Sequence, residues 1–171
     1  GPSHGSTESQ IAVTLAAQLA AELVSNSHAL VTLSEQDLTV LAAQNNPHPT
    51  QFRSLQVRVR DGDVAVSGST TVGPFGLTPV GYFAVVLDTS QSPPTLTVDL
   101  QRLDIGAITL PGWVRDAILG SLSPTLQMNQ FLNSAPLAPA RANLECARAV
   151  NGGLTLGVHR PGTQPDTALC G

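Results

Sequence analysis

The chain has 171 residues, a net charge of −4, 42% hydrophobic residues and only 12% charged residues, where an ordinary soluble domain carries about 25% charged residues. That length fits one domain able to bury a core without disulfides or metals. The eight basic residues are all Arg and lie scattered, so the clustered basic footprint of a nucleic-acid binder is missing.

Residues 1–6 (Gly-Pro-Ser-His-Gly-Ser) read as a cloning remnant and are set apart from the fold. A signal or membrane anchor is expected ahead of them in the native protein. Residues 7–160 are expected to form a single α+β domain, and residues 161–171 a tail. No apolar run of about 18 residues, the length that crosses a bilayer, occurs.

The first element is a helix over residues 7–25, capped by Thr7 or Ser6, with Glu8 in its first turn. Ile11, Leu15, Leu19 and Leu23 recur every four residues. Ala12, Ala16, Ala20, Val13 and Val24 widen the stripe, and so broad a face needs an apolar partner. A short strand follows over 28–33. Ser34 and Asp37 then resemble a capping box that opens a second helix through Gln44, ended by Asn45-Asn46-Pro47-His48-Pro49.

From Phe52 the period changes to two. Leu55, Val57 and Val59 alternate with Ser54, Gln56 and Arg58. Asp61-Gly62-Asp63 is a hairpin turn, and Val64 to Val72 returns, with Gly68 reading as a bulge or sharp bend. Residues 77–88 are apolar on both faces: Val80, Tyr82, Ala84 and Val86 on one, Phe83, Val85 and Leu87 on the other. In 95–105, Leu96, Val98 and Leu100 alternate with Thr97, Asp99 and Gln101. Residues 113–133 return to helical spacing through Val114, Ile118, Leu122 and Leu126, with Pro124 expected to kink or break the helix. Pro136 and Pro139 form a linker, and 143–150 with 154–159 make a last hairpin around Asn151-Gly152-Gly153. Helices segregated around a run of strands predict an α+β fold.

Cys146 and Cys170 read either as two buried thiols or as a disulfide stapling the tail. The disulfide is favoured, because Cys170 sits in a Gly/Pro/Thr tail with nothing to bury it, and it implies an oxidising compartment. No zinc, phosphate-loop, dinucleotide or Gly-x-Ser-x-Gly pattern is present. Asp61 and Asp63 are explained by turn chemistry, and neighbouring positions Asp99, Arg102 and Asp104 do not share one strand face. No catalytic residue, cofactor or metal is therefore expected. The informative feature is the aliphatic surplus, which is either an ordinary core or the lining of an apolar cavity.

Val31-Thr32-Leu33-Ser34-Glu35-Gln36-Asp37-Leu38 is one of three stretches that point to a family. The others are Leu55-x-Val57-x-Val59 with Asp61-Gly62-Asp63-Val64-x-Val66-x-Gly68, and Leu103-x-Ile105-Gly106-x-Ile108-x-Leu110-Pro111. Together they resemble the bacterial single-unit relatives of the tubular lipid-binding (TULIP) superfamily, the LmeA-like phospholipid-binding proteins of bacterial envelopes, over roughly residues 8–160. The resemblance implies a long helix wrapped by a strongly curved antiparallel sheet, a lipid-filled groove between them, and no catalytic residues. Pro124 and the Cys-containing tail depart from the pattern.

On that basis the groove is expected to be lined by Leu15, Leu19 and Leu23 of the first helix, by Val57, Val59, Val66, Tyr82, Val86 and Val98 of the sheet, and by Trp113, Ile118 and Leu122 of the last helix. The sheet face rests on alternation alone, and a one-residue slip exchanges the set. The expected function is non-catalytic binding or transport of an acyl-chain lipid at the cell envelope, outside the cytoplasm. The expected partners are a lipid or other hydrophobic small molecule, with a membrane surface as a further candidate and no nucleic acid, in a monomer or homodimer. The alternative is a structural or protein-interaction module that uses its apolar faces for assembly.

Overall fold

The computed structural model describes residues 7–106, 111–122 and 128–171, without the side chains of Val72, Ser121 and Leu122. The fold is α+β, with five helices and eight strands among the described residues. The strands fall into two antiparallel sheets where the sequence reading expected one wrapped sheet.

Helix α1 (Glu8–Ser25) opens with a reciprocal cap: Thr7 Oγ1 accepts from Gln10 N–H, and Thr7 N–H donates to Gln10 Oε1 at 2.9 Å. Its buried stripe is Ile11, Ala12, Leu15 and Leu19. Val13 and Val24, expected to widen that stripe, face solvent. The end of α1 is finished from far along the chain: the Arg160 guanidinium donates to the carbonyls of Leu23, Val24 and Asn26. A cation there satisfies orphan carbonyls and complements the negative end of the helix.

Strand β1 (His28–Ser34) joins the C-terminal hairpin β7 (Leu144–Val150) and β8 (Gly153–His159) in the order β1-β8-β7. The β1–β8 register runs from His28↔His159 to Ser34↔Gly153. One face of this sheet presents Ala29, Val31, Leu33, Leu154, Leu156 and Val158 to the core.

Helix α2 (Glu35–Gln44) starts at the expected box, with Ser34 Oγ accepting from Asp37 N–H. Leu38, Leu41 and Ala42 are its buried side. The larger sheet runs β2 (Arg53–Arg60), β3 (Asp63–Val72), β5 (Val80–Asp88), β6 (Thr95–Asp104), and β4 (Phe75–Leu77) folds back on β3 alone.

The outer edge of β2 does not end in open amides. Glu35 Oε2 accepts from Val59 N–H at 2.7 Å, and Thr39 Oγ1 accepts from Val57 N–H at 2.9 Å. Two side chains one turn apart on α2 thus replace a neighbouring strand. At the end of β2 the β7–β8 turn takes over, with Gly152 N–H donating to Val59 O and Gly62 N–H to Ala149 O. These bonds join the two sheets around one core, in which Phe83, Phe131, Leu33, Val57, Val59 and Val66 are almost fully buried.

Helix α3 (Gly112–Leu122) and helix α4 (Met128–Leu132) stand where one interrupted helix was expected; Pro124 itself lies outside the described residues. The expected linker around Pro139 carries a short helix, α5 (Ala138–Arg141). Arg141, only 7% exposed, is held by neutral acceptors, the Pro94 carbonyl and the Asn133 and Asn129 side chains, and burial lowers its pKa. Asn129 also pairs with both backbone groups of Leu96, closing part of the free edge of β6. Among the described residues no helix is long and apolar enough to cross a membrane.

The tail folds back over the second face of the smaller sheet. Cys146 and Cys170 form a disulfide. Gly157 on the adjacent strand makes room for it, since a Cβ there would collide with Cys146 Sγ and meet Cys170 Sγ at 3.4 Å. Beside it, the buried Glu145 carboxylate accepts from Asp166 N–H at 2.8 Å and meets His28 Nδ1 at 2.9 Å.

Candidate functional site

The expected hollow beneath α1 is filled. Leu15 and Leu19 meet Val31, Leu132, Leu137, Leu144, Leu156 and Val158 around a void of about 10 Å³, the size of a single water. Val57, Val59 and Val66 are fully buried core residues. The aliphatic surplus of α1, β1, β2, β3 and β8 therefore goes largely into packing; among the described residues Leu15 also borders a small, mainly polar cleft of about 140 Å³ with Gln10, Thr14, Gln18, Thr32 and Asp37.

The expected sheet set also mixes two faces. Val66 is opposite Gly81 and Ala65 opposite Tyr82. Phe83, Val85 and Leu87 therefore face the core with Val66, and Val98 joins them through its pairing with Val85. Tyr82 lies on the other face, 4.2 Å beneath the Arg102 guanidinium, and Val86 is exposed there. Both rows of this strand are apolar, and alternation alone put the Tyr82–Val86 row with Val66; the pairing of Val66 with Gly81 and the 1% exposure of Phe83 put the other row there. Leu23 is half-buried against the core margin.

An open groove of about 470 Å³ among the described residues lies elsewhere. One wall is the start of β2 and the end of β3, through Gln51, Phe52, Arg53, Thr70, Thr71 and Gly73. The other is α3, through Trp113, Val114, Ala117 and Ile118. Its volume lies within the range of ligand sites, about 300–1,000 Å³. Of the expected residues only Trp113 and Ile118 reach it; the Leu122 side chain lies outside the described residues.

Local geometry explains the walls. In α3, Val114 and Ile118 stand one turn apart and are buried, while Trp113 and Ala117, one position earlier, share an exposed neighbouring row. Across the groove, the β2–β3 register shifts between Arg53 and Gln56, and Ser54 adopts a left-handed φ of 56°. This bulge lies opposite Gly68 and swings Phe52 inward to 2% exposure.

The groove is amphipathic. Phe52, Val114 and Ile118 form an apolar floor, Trp113 is an exposed aromatic wall, and Gln51, Arg53, Thr70 and Thr71 supply polar groups at the rim. Among the described residues no carboxylate, histidine or cysteine lines it. Arg53 is its one charged group among the described residues. Such a surface can hold an apolar chain on its floor and a polar or anionic end at the rim.

Phe52, Thr70, Thr71, Val114 and Ala117 were missing from the sequence-derived set. The available signal was Gly68 in the middle of a strand, which announces a close approach without naming what approaches. Elsewhere, among the described residues, no three of His, Cys, Asp and Glu gather where a metal ion could be held. Compared with known proteins, the chain matches no family model and no curated sequence.

Proposed function

We propose that the protein binds a molecule with an apolar chain, a lipid in the sense of the TULIP-like resemblance, without reacting with it, in the groove between the β2–β3 ends and α3. The observation that carries this reading is the contrast between two apolar sites. The space under α1 closes to about 10 Å³, while the groove keeps about 470 Å³ over an apolar floor. An acyl chain gains about 0.8 kcal/mol for each CH₂ it buries, with no fixed polar contact needed. Arg53, Thr70 and Thr71 offer donors for a headgroup or carboxylate at one rim. The Cys146–Cys170 disulfide supports a setting outside the cytoplasm, and a register shift such as the one opposite Gly68 is compatible with a bent sheet.

Titration with a dansylated fatty acid tests the reading, alongside mass spectrometry of organic extracts of the purified protein. Binding is expected, and Ala117→Phe, which fills the groove from α3, is expected to weaken it about tenfold with an unchanged melting temperature. A protein that takes up no dansylated fatty acid and yields no lipid refutes the proposal, as does undiminished binding by Ala117→Phe.

A further inference from the structure

Two loop tips flank one mouth of the groove, and each presents an aromatic ring to water. Gly73-Pro74 turns β3 into β4, with Gly73 at a left-handed φ of 59°, and Phe75, the first residue of β4, is paired with Val72 beside the turn and 53% exposed. Pro111-Gly112-Trp113 opens α3, and Trp113 is 74% exposed. Gly73 and Trp113 border the same groove, which places the two tips at one end of the molecule. Both rings are turned to solvent, where they gain little from the core.

The charge distribution agrees with this placement. From Val64 to Leu87 the sequence carries no Asp, Glu, Lys, Arg or His. The charged groups nearest the tips, Arg53, Arg115, Asp116, Arg102 and Asp104, balance to within one unit. The antiparallel register sends Asp61, Asp63 and Asp88 to the opposite end of the larger sheet. Screening over about 8 Å at physiological salt leaves those carboxylates without influence on the tips.

We propose that the Phe75 and Trp113 tips dock the protein on a neutral, zwitterionic lipid bilayer surface and set the mouth of the groove against it. Aromatic side chains settle at the headgroup boundary of membranes, and apolar insertion without a basic patch requires no anionic lipid. The proposal deepens the lipid-binding reading, because a groove opening at the bilayer is placed to take a chain from it.

Trp113 is the sole Trp of the chain, so its emission reports on one tip without labelling. With phosphatidylcholine vesicles the emission is expected to shift to the blue, brominated acyl chains are expected to quench it, and the protein is expected to co-sediment at both low salt and 0.5 M salt. Phe75→Ser is expected to weaken co-sedimentation about tenfold while keeping uptake of a dansylated fatty acid from solution, since Phe75 does not line the groove. Val86→Ser removes an exposed apolar side chain toward the Asp88 end of β5 and is expected to change neither.

Failure of the wild type to co-sediment overturns the docking proposal even if it takes up fatty acid. Equal losses in Phe75→Ser and Val86→Ser, or no loss in Phe75→Ser, overturn it as well. Vesicle binding that depends on Phe75 in a protein that takes up no fatty acid upholds docking and removes the groove reading alone.

Discussion

The ring of Phe52 occupies the space that a side chain on Gly68 would need. A Cβ built on Gly68 would stand 2.6 Å from Phe52 Cδ1 and 2.8 Å from Leu55 Cδ2, closer than packed carbons approach. Gly68→Ala is therefore expected to force the ring out and to destabilise the protein by about 2 kcal/mol, in the range of overpacked cores. Urea unfolding measures the loss. Phe52→Leu combined with Gly68→Ala is expected to lose less than the sum of the two single changes, because the smaller side chain vacates the contested space. A Gly68→Ala variant as stable as the wild type contradicts the close approach.

The Cys146–Cys170 link closes a loop of 24 residues, and loop-closure entropy assigns such a link about 3 kcal/mol through the unfolded chain. The pair Cys146→Ala and Cys170→Ala is expected to lower stability by about 2–4 kcal/mol with groove binding intact, since the link and the groove share no residue. Thermal unfolding with and without reductant, read against dansylated fatty acid titration, separates the two effects.

Much of this architecture was legible in the residues. The Ser34–Asp37 box, the Asp61-Gly62-Asp63 turn and the β2 alternation state local preferences that nothing in the tertiary structure overrides. The choice of face on β5 was not legible, because both its rows are apolar and it takes the pairing of Val66 with Gly81, together with the burial of Phe83, to settle it. Nor was the partner of β1. Seven residues of β-like sequence do not say that they will lie beside β8, more than a hundred residues away. The apolar surplus of α1 was read as the wall of a hollow. Periodicity reports that a face must be covered but not how tightly, and Leu144, Leu156 and Val158 cover it almost completely.

The cover on the outer edge of β2 predicts a graded loss. Thr39 Oγ1 both accepts from Val57 N–H and donates to Glu35 O at 2.8 Å. Thr39→Val keeps the shape and removes both bonds, leaving a strand amide without its acceptor, and is expected to destabilise by about 1–2 kcal/mol. Thr39→Ser retains the hydroxyl and is expected to lose markedly less. Hydrogen exchange locates the effect: the Val57 amide is expected to lose protection in Thr39→Val while Val66, in the adjacent strand, keeps it. Uniform loss across β2 and β3 contradicts a local role for Thr39.

Glu145 and His28 form the most exacting test of how the tail is held. The Glu145 side chain is fully buried at the irregularity between Leu144 and Cys146 in β7, and the His28 side chain is 30% exposed. The carboxylate has two kinds of donor, the imidazole Nδ1 and the Asp166 amide. Removing only His28 leaves a buried carboxylate supported by one backbone amide, and removing only Glu145 strands that amide and the imidazole. Each single Ala substitution is expected to lower stability by about 2 kcal/mol, the penalty of a buried polar group left unsatisfied. In the double variant the orphaned carboxylate is gone, so its loss is expected to fall short of the sum by about 1 kcal/mol. Reductant is expected to expose the tail to protease sooner in Glu145→Ala than in the wild type, because the disulfide is then the main remaining tie between β7 and the tail. Losses that add to within about 0.3 kcal/mol mean that the two side chains act independently, and the tail then depends on its covalent link and the Asp166 contact alone.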